Sequence, residues 1–297
     1  MSKPVLHGLL IIDKPAHWTS HDVVAWARRW AGERKIGHAG TLDPAATGVL
    51  PLAINDGTKI LEFLADADKA YRAEITFGVA TDSADIEGVV SILDARAISL
   101  AEIQAVLTQF RGEIQQVPPA QSAIRIGGKR AYDLARAGIE VTMPTRTITI
   151  HDLSVVDFVD SVLTLDIACS KGTYIRSLAR DLGMALGTVA YLSNLVRTRS
   201  GPFDCADAWT IAELRELDPV ASWSELAMHP DEALLDWPAM VIGPDEERRW
   251  FHGLGLDRSG SEGERCRVYN DIGEWIGLAA YNPVATNWHP LRVIGQQ

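Results

Sequence analysis

Gly37-His38-Ala39-Gly40-Thr41-Leu42-Asp43-Pro44-Ala45-Ala46-Thr47-Gly48-Val49-Leu50-Pro51-Leu52-Ala53-Ile54 is the most informative stretch of this chain. It sets one carboxylate, Asp43, in a tight glycine-punctuated loop, with His38 upstream and an apolar run directly after. Gly37, Gly40 and Gly48 admit backbone conformations and close approaches that other residues resist. Pro44 fixes the chain just after the acid. Such a loop presents one side chain rigidly to whatever comes close. By composition alone it also suits a structural turn, because Asp-Pro and glycine-rich segments are common in turns.

Outward from the loop, helix and strand patterns alternate. Residues 6–12 are a short apolar run before Asp13-Lys14-Pro15 and read as a strand. Thr19 or Ser20 caps a helix to about Trp30, with Val23, Val24, Ala27 and Trp30 on one face. Residues 53–64 lead into a second helical segment, 69–79 alternate as a strand, and 99–110 read as a capped helix. Residues 147–158 and 162–169 pair as a hairpin around Asp160-Ser161, and 173–186 form a helix ended by Gly187. This mixture, with mostly antiparallel connections, predicts an α+β fold. Beyond Asp236-Trp237-Pro238, residues 265–280 read as a hairpin around Asp271 to Gly273, and 291–294 offer a last strand, so 241–297 form a small β-rich unit. The expected division is 1–240 and 241–297.

The chain has 297 residues, 47% of them hydrophobic, which suffices for a large core plus a small second unit. No apolar run is long enough for a transmembrane helix, and the N-terminus reads as strand and turn rather than signal peptide, so the cytoplasm is expected. Cys169, Cys205 and Cys266 are odd in number and far apart, which suggests neither a disulfide framework nor zinc. The eight histidines show no metal-binding spacing, so no metal is expected. Net charge is −11, yet residues 202–240 hold nine acids against one arginine, whereas 120–201 carry ten Lys/Arg and seven Asp/Glu. A local basic groove is what phosphate binding requires, not a basic total.

The 37–54 stretch resembles the catalytic motif of the tRNA pseudouridine synthase B family, and the resemblance runs over residues 5–200. It implies a mixed, mostly antiparallel sheet of pseudouridine synthase type and a PUA-like C-terminal module. The implied activity is conversion of uridine 55 in the T arm of tRNA to pseudouridine. That reaction breaks the C1′–N1 bond, turns the uracil and rebuilds the bond to C5. It needs a group that adds covalently or stabilises the sugar, and Asp43 is the candidate nucleophile. No redox step or group donor is involved, so no cofactor is expected. The uridine must leave its stack, and His38 is the candidate to fill the vacated space.

Tyr71, in Lys69-Ala70-Tyr71-Arg72-Ala73, resembles the family tyrosine that stacks on the flipped base, its hydroxyl available for proton transfer. On residue type alone it is core. Lys171-Gly172-Thr173-Tyr174-Ile175-Arg176 is a second motif of the family. It makes Arg176 the partner of Asp43, keeping the nucleophile ionised and oriented, and puts Tyr174 in the uridine pocket. A cation near a helix N-terminus also calls for an anionic partner. Residues 191–201 resemble a third segment, in which Leu195 packs on the base and Arg197 and Arg199 face phosphates. The loop 120–140 resembles an RNA-contacting flap, with Arg125, Lys129 and Arg130 as its cations. Arg125 stands where the family has lysine, and Gln121 where it has an aromatic. Thr81-Asp82-Ser83-Ala84-Asp85-Ile86-Glu87-Gly88 also matches, as a turn without assigned chemistry. The partner expected is the tRNA T-arm stem-loop, met by a monomer without guide RNA or membrane. A guide-dependent relative, an RNA-binding module and a carboxylate hydrolase are the competing readings, and the last lacks a second acid loop.

Overall fold

The computed structural model describes residues 5–295 except 95, 123, 138 and 140, and omits the side chains of 130, 132, 135 and 136. In chain order the strands are β1 (Gly8–Lys14), β2 (Ile36–His38), β3 (Thr47–Ile54), β4 (Lys69–Phe77), β5 (Val79–Thr81), β6 (Val90–Leu93) and β7 (Gly112–Gln116). Next come β8 (Arg125–Ile126), β9 (Lys129–Arg130), β10 (Arg146–Val159), β11 (Val162–Cys169), β12 (Ala190–Ser200), β13 (Phe203–Asp204) and β14 (Trp209–Thr210). The last are β15 (Ala239–Val241), β16 (Arg265–Tyr269), β17 (Trp275–Asn282) and β18 (Asn287–Val293). The helices are α1 (Ser20–Ala31), α2 (Leu61–Asp66), α3 (Leu100–Leu107), α4 (Ala131–Arg136), α5 (Ile175–Ala185), α6 (Ile211–Arg215), α7 (Trp223–Leu226) and α8 (Pro244–Phe251).

One ten-stranded sheet runs in the order β14-β1-β3-β12-β4-β11-β10-β7, with β2 on β3 and β13 on β12. Only β1/β14 and β3/β12 pair in parallel within it. The mixed, mostly antiparallel α+β architecture is therefore as the sequence predicted. The apolar run after the Asp43 loop is strand β3. Leu50, Leu52 and Ile54 pack under α1, while Val49 and Ala53 face a cluster on the other side. Burial on both faces is why this strand is continuously apolar instead of alternating.

Local signals set the elements. Thr19 caps α1 with a full capping box to Asp22, and Ser99 caps α3 in the same way with Glu102. The β10–β11 hairpin turns at Asp160 and Ser161, which take φ of 49° and 64°. Helix α5 begins at Ile175, with Tyr174 as its N-cap residue, slightly later than the sequence indicated. The 53–64 segment divides instead of forming one helix: β3 extends to Ile54, and a 3-10 stretch, Asn55–Ile60, precedes α2. Strand pairing of β3 with β1 holds those residues extended.

Helices α3 and α5 cover one face of β4, β10, β11 and β12, with Ile75, Leu165, Leu178 and Leu182 fully buried between them. The C-terminal sheet, β15-β16-β17-β18, has its own core around Trp250, Val268 and Ala279. It docks on the main sheet through Trp275, Leu278 and Ile294, which join Leu9 and Ile11 of β1. The β-rich unit expected at the C-terminus is present.

Candidate active site

Asp43 sits in a loop held from several directions. Leu42 N donates to Ser20 Oγ (2.9 Å), and that hydroxyl donates to Leu42 O (3.2 Å). Ala46 N donates to Asp43 O and closes a turn over Pro44. The Pro44 carbonyl accepts from His17 N (2.8 Å) and from Lys14 Nζ (3.1 Å). Lys14 has no exposed surface; its ammonium also reaches the Pro15 and Trp18 carbonyls (2.9 and 2.5 Å). Burial lowers its pKa to about 8, with the Asp43 charge opposing. Gly48 (φ 96°) brings the loop's exit against β12: a Cβ there would lie 2.3 Å from the Arg197 carbonyl oxygen. A position this crowded and this backbone conformation both require glycine.

The pairing with Arg176 predicted from the motif is present. Arg176 Nε lies 3.0 Å from Asp43 Oδ2 and Nη2 lies 3.3 Å from Oδ1, a two-pronged contact. The arginine side chain is 7% exposed and the aspartate 40%, so the cation is anchored in the protein and the carboxylate faces an opening. The other prong of the guanidinium meets Asp85 Oδ2 (3.2 Å) and the Ser83 carbonyl (3.3 Å), and Nη2 also donates to Gln121 O (2.9 Å). Asp85 is itself fixed by Ser83 Oγ (2.5 Å) and Glu87 N (3.1 Å). The 81–88 segment, to which the sequence assigned no chemistry, thus supplies the second carboxylate on Arg176. A T-D-S-A-D turn offers no periodicity that reveals such a role; only its match to the family pointed there.

Burial pushes the Asp43 carboxyl above the ordinary carboxylate value, Arg176 pulls it down, and Asp85 pushes it further up. Arg176 acts in the predicted direction, but desolvation outweighs it.

Strand register gathers the remaining residues. On β12 and β4, Arg197 pairs with Tyr71 and Leu195 with Ala73. The side chains of Tyr71 and Leu195 pack on the cluster that α5 covers, on the face that carries Arg176. Burial raises the Tyr71 hydroxyl's pKa despite its hydrogen bond with Arg197, so the phenol stays neutral. His38 ends β2, with its ring edge-on to His21 at 5.5 Å. Burial, then the neighbouring His21 and Arg197, depress its pKa to about 4. Tyr174 is clamped by Gln116, which is 1% exposed: its amide accepts from Tyr174 N (2.8 Å) and donates to Tyr174 O (3.1 Å).

Arg197 does not take the place the sequence suggested. It is 1% exposed, and its guanidinium donates to Val49 O (2.7 Å) and Gly40 O (3.1 Å). It braces the Asp43 loop from beneath and cannot meet a phosphate, because its guanidinium is buried and spent on these carbonyls and on Tyr71. Arg199 is exposed, as are Arg125 and Lys129 on the β8–β9 hairpin, which turns at Gly127 and Gly128 (φ 56° and 84°). The side chain of Arg130 lies outside the described ones. Among the described residues no cluster of three or more His, Cys, Asp or Glu is placed to hold a metal ion, and no helix is long and apolar enough to cross a membrane.

Residues 28–175 match the TruB family pseudouridylate synthase N-terminal domain, and 176–236 match the tRNA pseudouridylate synthase B C-terminal domain. A tRNA pseudouridine synthase B from Symbiobacterium thermophilum is 47% identical over 251 residues, 83% of this chain and 82% of its own. The chain belongs to the tRNA pseudouridine synthase B family. A second member, from Shouchella clausii, is 40% identical over 286 residues and covers 93% of this chain and 94% of its own. A solved Cbf5–Nop10–Gar1 complex contains a chain similar over 99% of this one and 94% of itself, with a TM-score of 0.74 at 24% identity, so the fold is shared through the C-terminal sheet. As a member of the tRNA pseudouridine synthase B family, the protein is an isomerase that converts uridine in tRNA to pseudouridine. The two family regions meet at residues 175 and 176. Asp43 therefore comes from the first region and its partner Arg176 from the second.

Proposed function

We propose that the protein isomerises uridine 55 in the T arm of tRNA, with Asp43 as nucleophile. The observation that carries this reading is the Asp43–Arg176 pair at 3.0 Å, with the arginine buried and the carboxylate open. A carboxylate so placed is pre-aimed at a nucleotide entering the opening. The target uridine leaves its stack for this opening, at a cost of a few kcal/mol. His38, neutral with its lowered pKa, takes the vacated position without bringing a charge into the RNA. Tyr71 stacks on the flipped uracil while Tyr174 and Leu195 line its pocket. Asp43 forms the covalent or ion-pair intermediate while the C1′–N1 bond breaks, and Arg176 holds the carboxylate in line. Once the new bond has formed, C5 gives up a proton and N1 gains one; the Tyr71 phenol, neutral at its raised pKa, takes part in this exchange only by giving up its own proton as it takes another. Bond breaking and bond making balance within the nucleotide, so no cofactor or metal enters.

Arg125, Lys129 and Arg199 contact RNA phosphates from exposed positions, and Arg130 is assigned the same role from the sequence. Residues 1–240 act as the catalytic domain and 241–297 as a PUA-like module. The named relatives, 39–47% identical, support action on tRNA; the same reading has the protein work in the cytoplasm as a monomer without a guide RNA. The test uses purified wild type and Asp43→Asn with an unmodified tRNA transcript and no additive. Nucleotide-resolution probing should show one new pseudouridine, at position 55, with wild type alone. Pseudouridine made by Asp43→Asn, or made elsewhere, would refute the assignment.

A further inference from the structure

A cleft of about 510 Å³ is lined by residues 144–147, Lys171, Gly172 and Ala65. It has two cations, Arg146 and Lys171, and two threonines, Thr145 and Thr147. The Arg146 guanidinium lies over the Tyr174 ring, 5.4 Å from its centroid, so the cleft adjoins the side chain assigned above to the uridine pocket. Tyr174 stands two residues before Arg176 in the chain.

Arg146 is poorly satisfied where it stands. Among the described residues its buried Nε has no hydrogen-bond partner, and Nη1 reaches the Gly172 carbonyl at 3.4 Å. A guanidinium carries five donors, and stacking on an aromatic ring leaves its N–H edge free. Gly172 keeps room for it: at φ 77°, a Cβ there would stand 3.2 Å from Nη1. Thr147 Oγ1 already accepts from Gln115 Nε2 (2.8 Å), so its own proton is left to donate. Lys171 is held at the rim by Asp66 (2.8 Å), with both side chains more than half exposed, so an incoming anion can replace that carboxylate. What this set of donors lacks is a multidentate oxyanion, the match for a planar guanidinium fork.

We propose that the Arg146–Lys171 cleft binds a phosphodiester of the RNA strand adjacent to the flipped nucleotide. This rests on the pseudouridine synthase reading above. Phosphate contacts set the register of a nucleic acid on a protein. A nucleotide rotated out of its stack needs its neighbouring linkage held while the base turns. Because the arginine stacks on Tyr174, occupancy of the phosphate site also orders that wall of the uridine pocket.

The experiment uses the full chain, as wild type, Arg146→Met and Arg146→Lys, with T-arm RNAs that carry one neutral methylphosphonate at successive positions around the target. For wild type, one position should weaken binding about tenfold, in keeping with loss of a charge-assisted contact. That position should cost Arg146→Met nothing further. The slope of log affinity against log salt should fall by about 0.7–0.9 in Arg146→Met, and Arg146→Lys should restore the slope without restoring the full affinity. Thermal melting of each variant verifies folding. An unchanged salt slope in Arg146→Met, or methylphosphonate losses equal in wild type and variant at every position, would overturn the site. Wild type that forms no pseudouridine would instead defeat the enzymatic reading, so the two failures are distinguishable.

Discussion

Arg197→Lys separates a structural brace from a phosphate contact. In the native fold the guanidinium satisfies Val49 O and Gly40 O and hydrogen-bonds with Tyr71, all in a site 1% exposed. A lysine ammonium at the end of a flexible stem reaches one of these three acceptors. The two left unmet cost about 1–3 kcal/mol each. Water entering from the nearby opening puts the expected loss in the lower half of that range, about 2–4 kcal/mol in all. Chemical denaturation should show this as a lower midpoint at an unchanged m-value. The loop that carries Asp43 loses its support, so turnover should fall with it. Since the side chain never reaches the RNA, the salt dependence of tRNA binding should match that of wild type. Stability within about 0.5 kcal/mol of wild type, together with a salt slope reduced by about one phosphate's worth, would refute this reasoning and return Arg197 to the RNA-facing role suggested by the sequence.

Four further outcomes are expected. Asp85→Asn removes a charged contact from Arg176, worth about 1.5–3 kcal/mol, so single-turnover rates should drop by roughly 10- to 150-fold with tRNA affinity retained; a rate within twofold of wild type would show that Asp85 does not orient the pair. The same variant removes a charge that raises the Asp43 pKa, so the acidic limb of its pH–rate profile should move to lower pH; a limb that moves up or stays would contradict the sign. His38 should titrate near pH 4 in an NMR experiment. Its folded pKa lies below the ordinary 6.5, so the unfolded chain takes up the proton first, and this group's contribution to stability should decline as pH falls from about 6.5 towards 4. His38→Gln should flatten that slope, and a His38 midpoint above 6 would rule the mechanism out. Gln116→Leu leaves the Tyr174 N–H and C=O without partners and should lower kcat while KM holds, because Tyr174 leads directly into Arg176; a change confined to KM would place Gln116 in RNA binding instead.

Much of this protein was readable along the chain because the signals are local. Capping boxes at Thr19 and Ser99, the turn at Asp160-Ser161, and the alternation of β11 depend on neighbours within a few residues. Asp43 and Arg176 were legible as a pair through two motifs, each short and densely constrained. Three decisions waited for the tertiary structure. Arg197 and Arg199 both belong to β12, and nothing in the sequence shows that one ends beneath the Asp43 loop and the other in solvent. That depends on the loop coming back over β12 at Gly48. Lys14 reads as a turn residue until the Pro15 and Trp18 carbonyls of its own turn and the Pro44 carbonyl of the Asp43 loop converge on its ammonium. The ionisation of Asp43 is a balance between desolvation, one cation and a second acid that lies 42 residues away in the chain. Motifs name the groups that take part in such a balance, but its sign depends on how much water the folded surroundings remove and on the distances between charges brought together from remote segments.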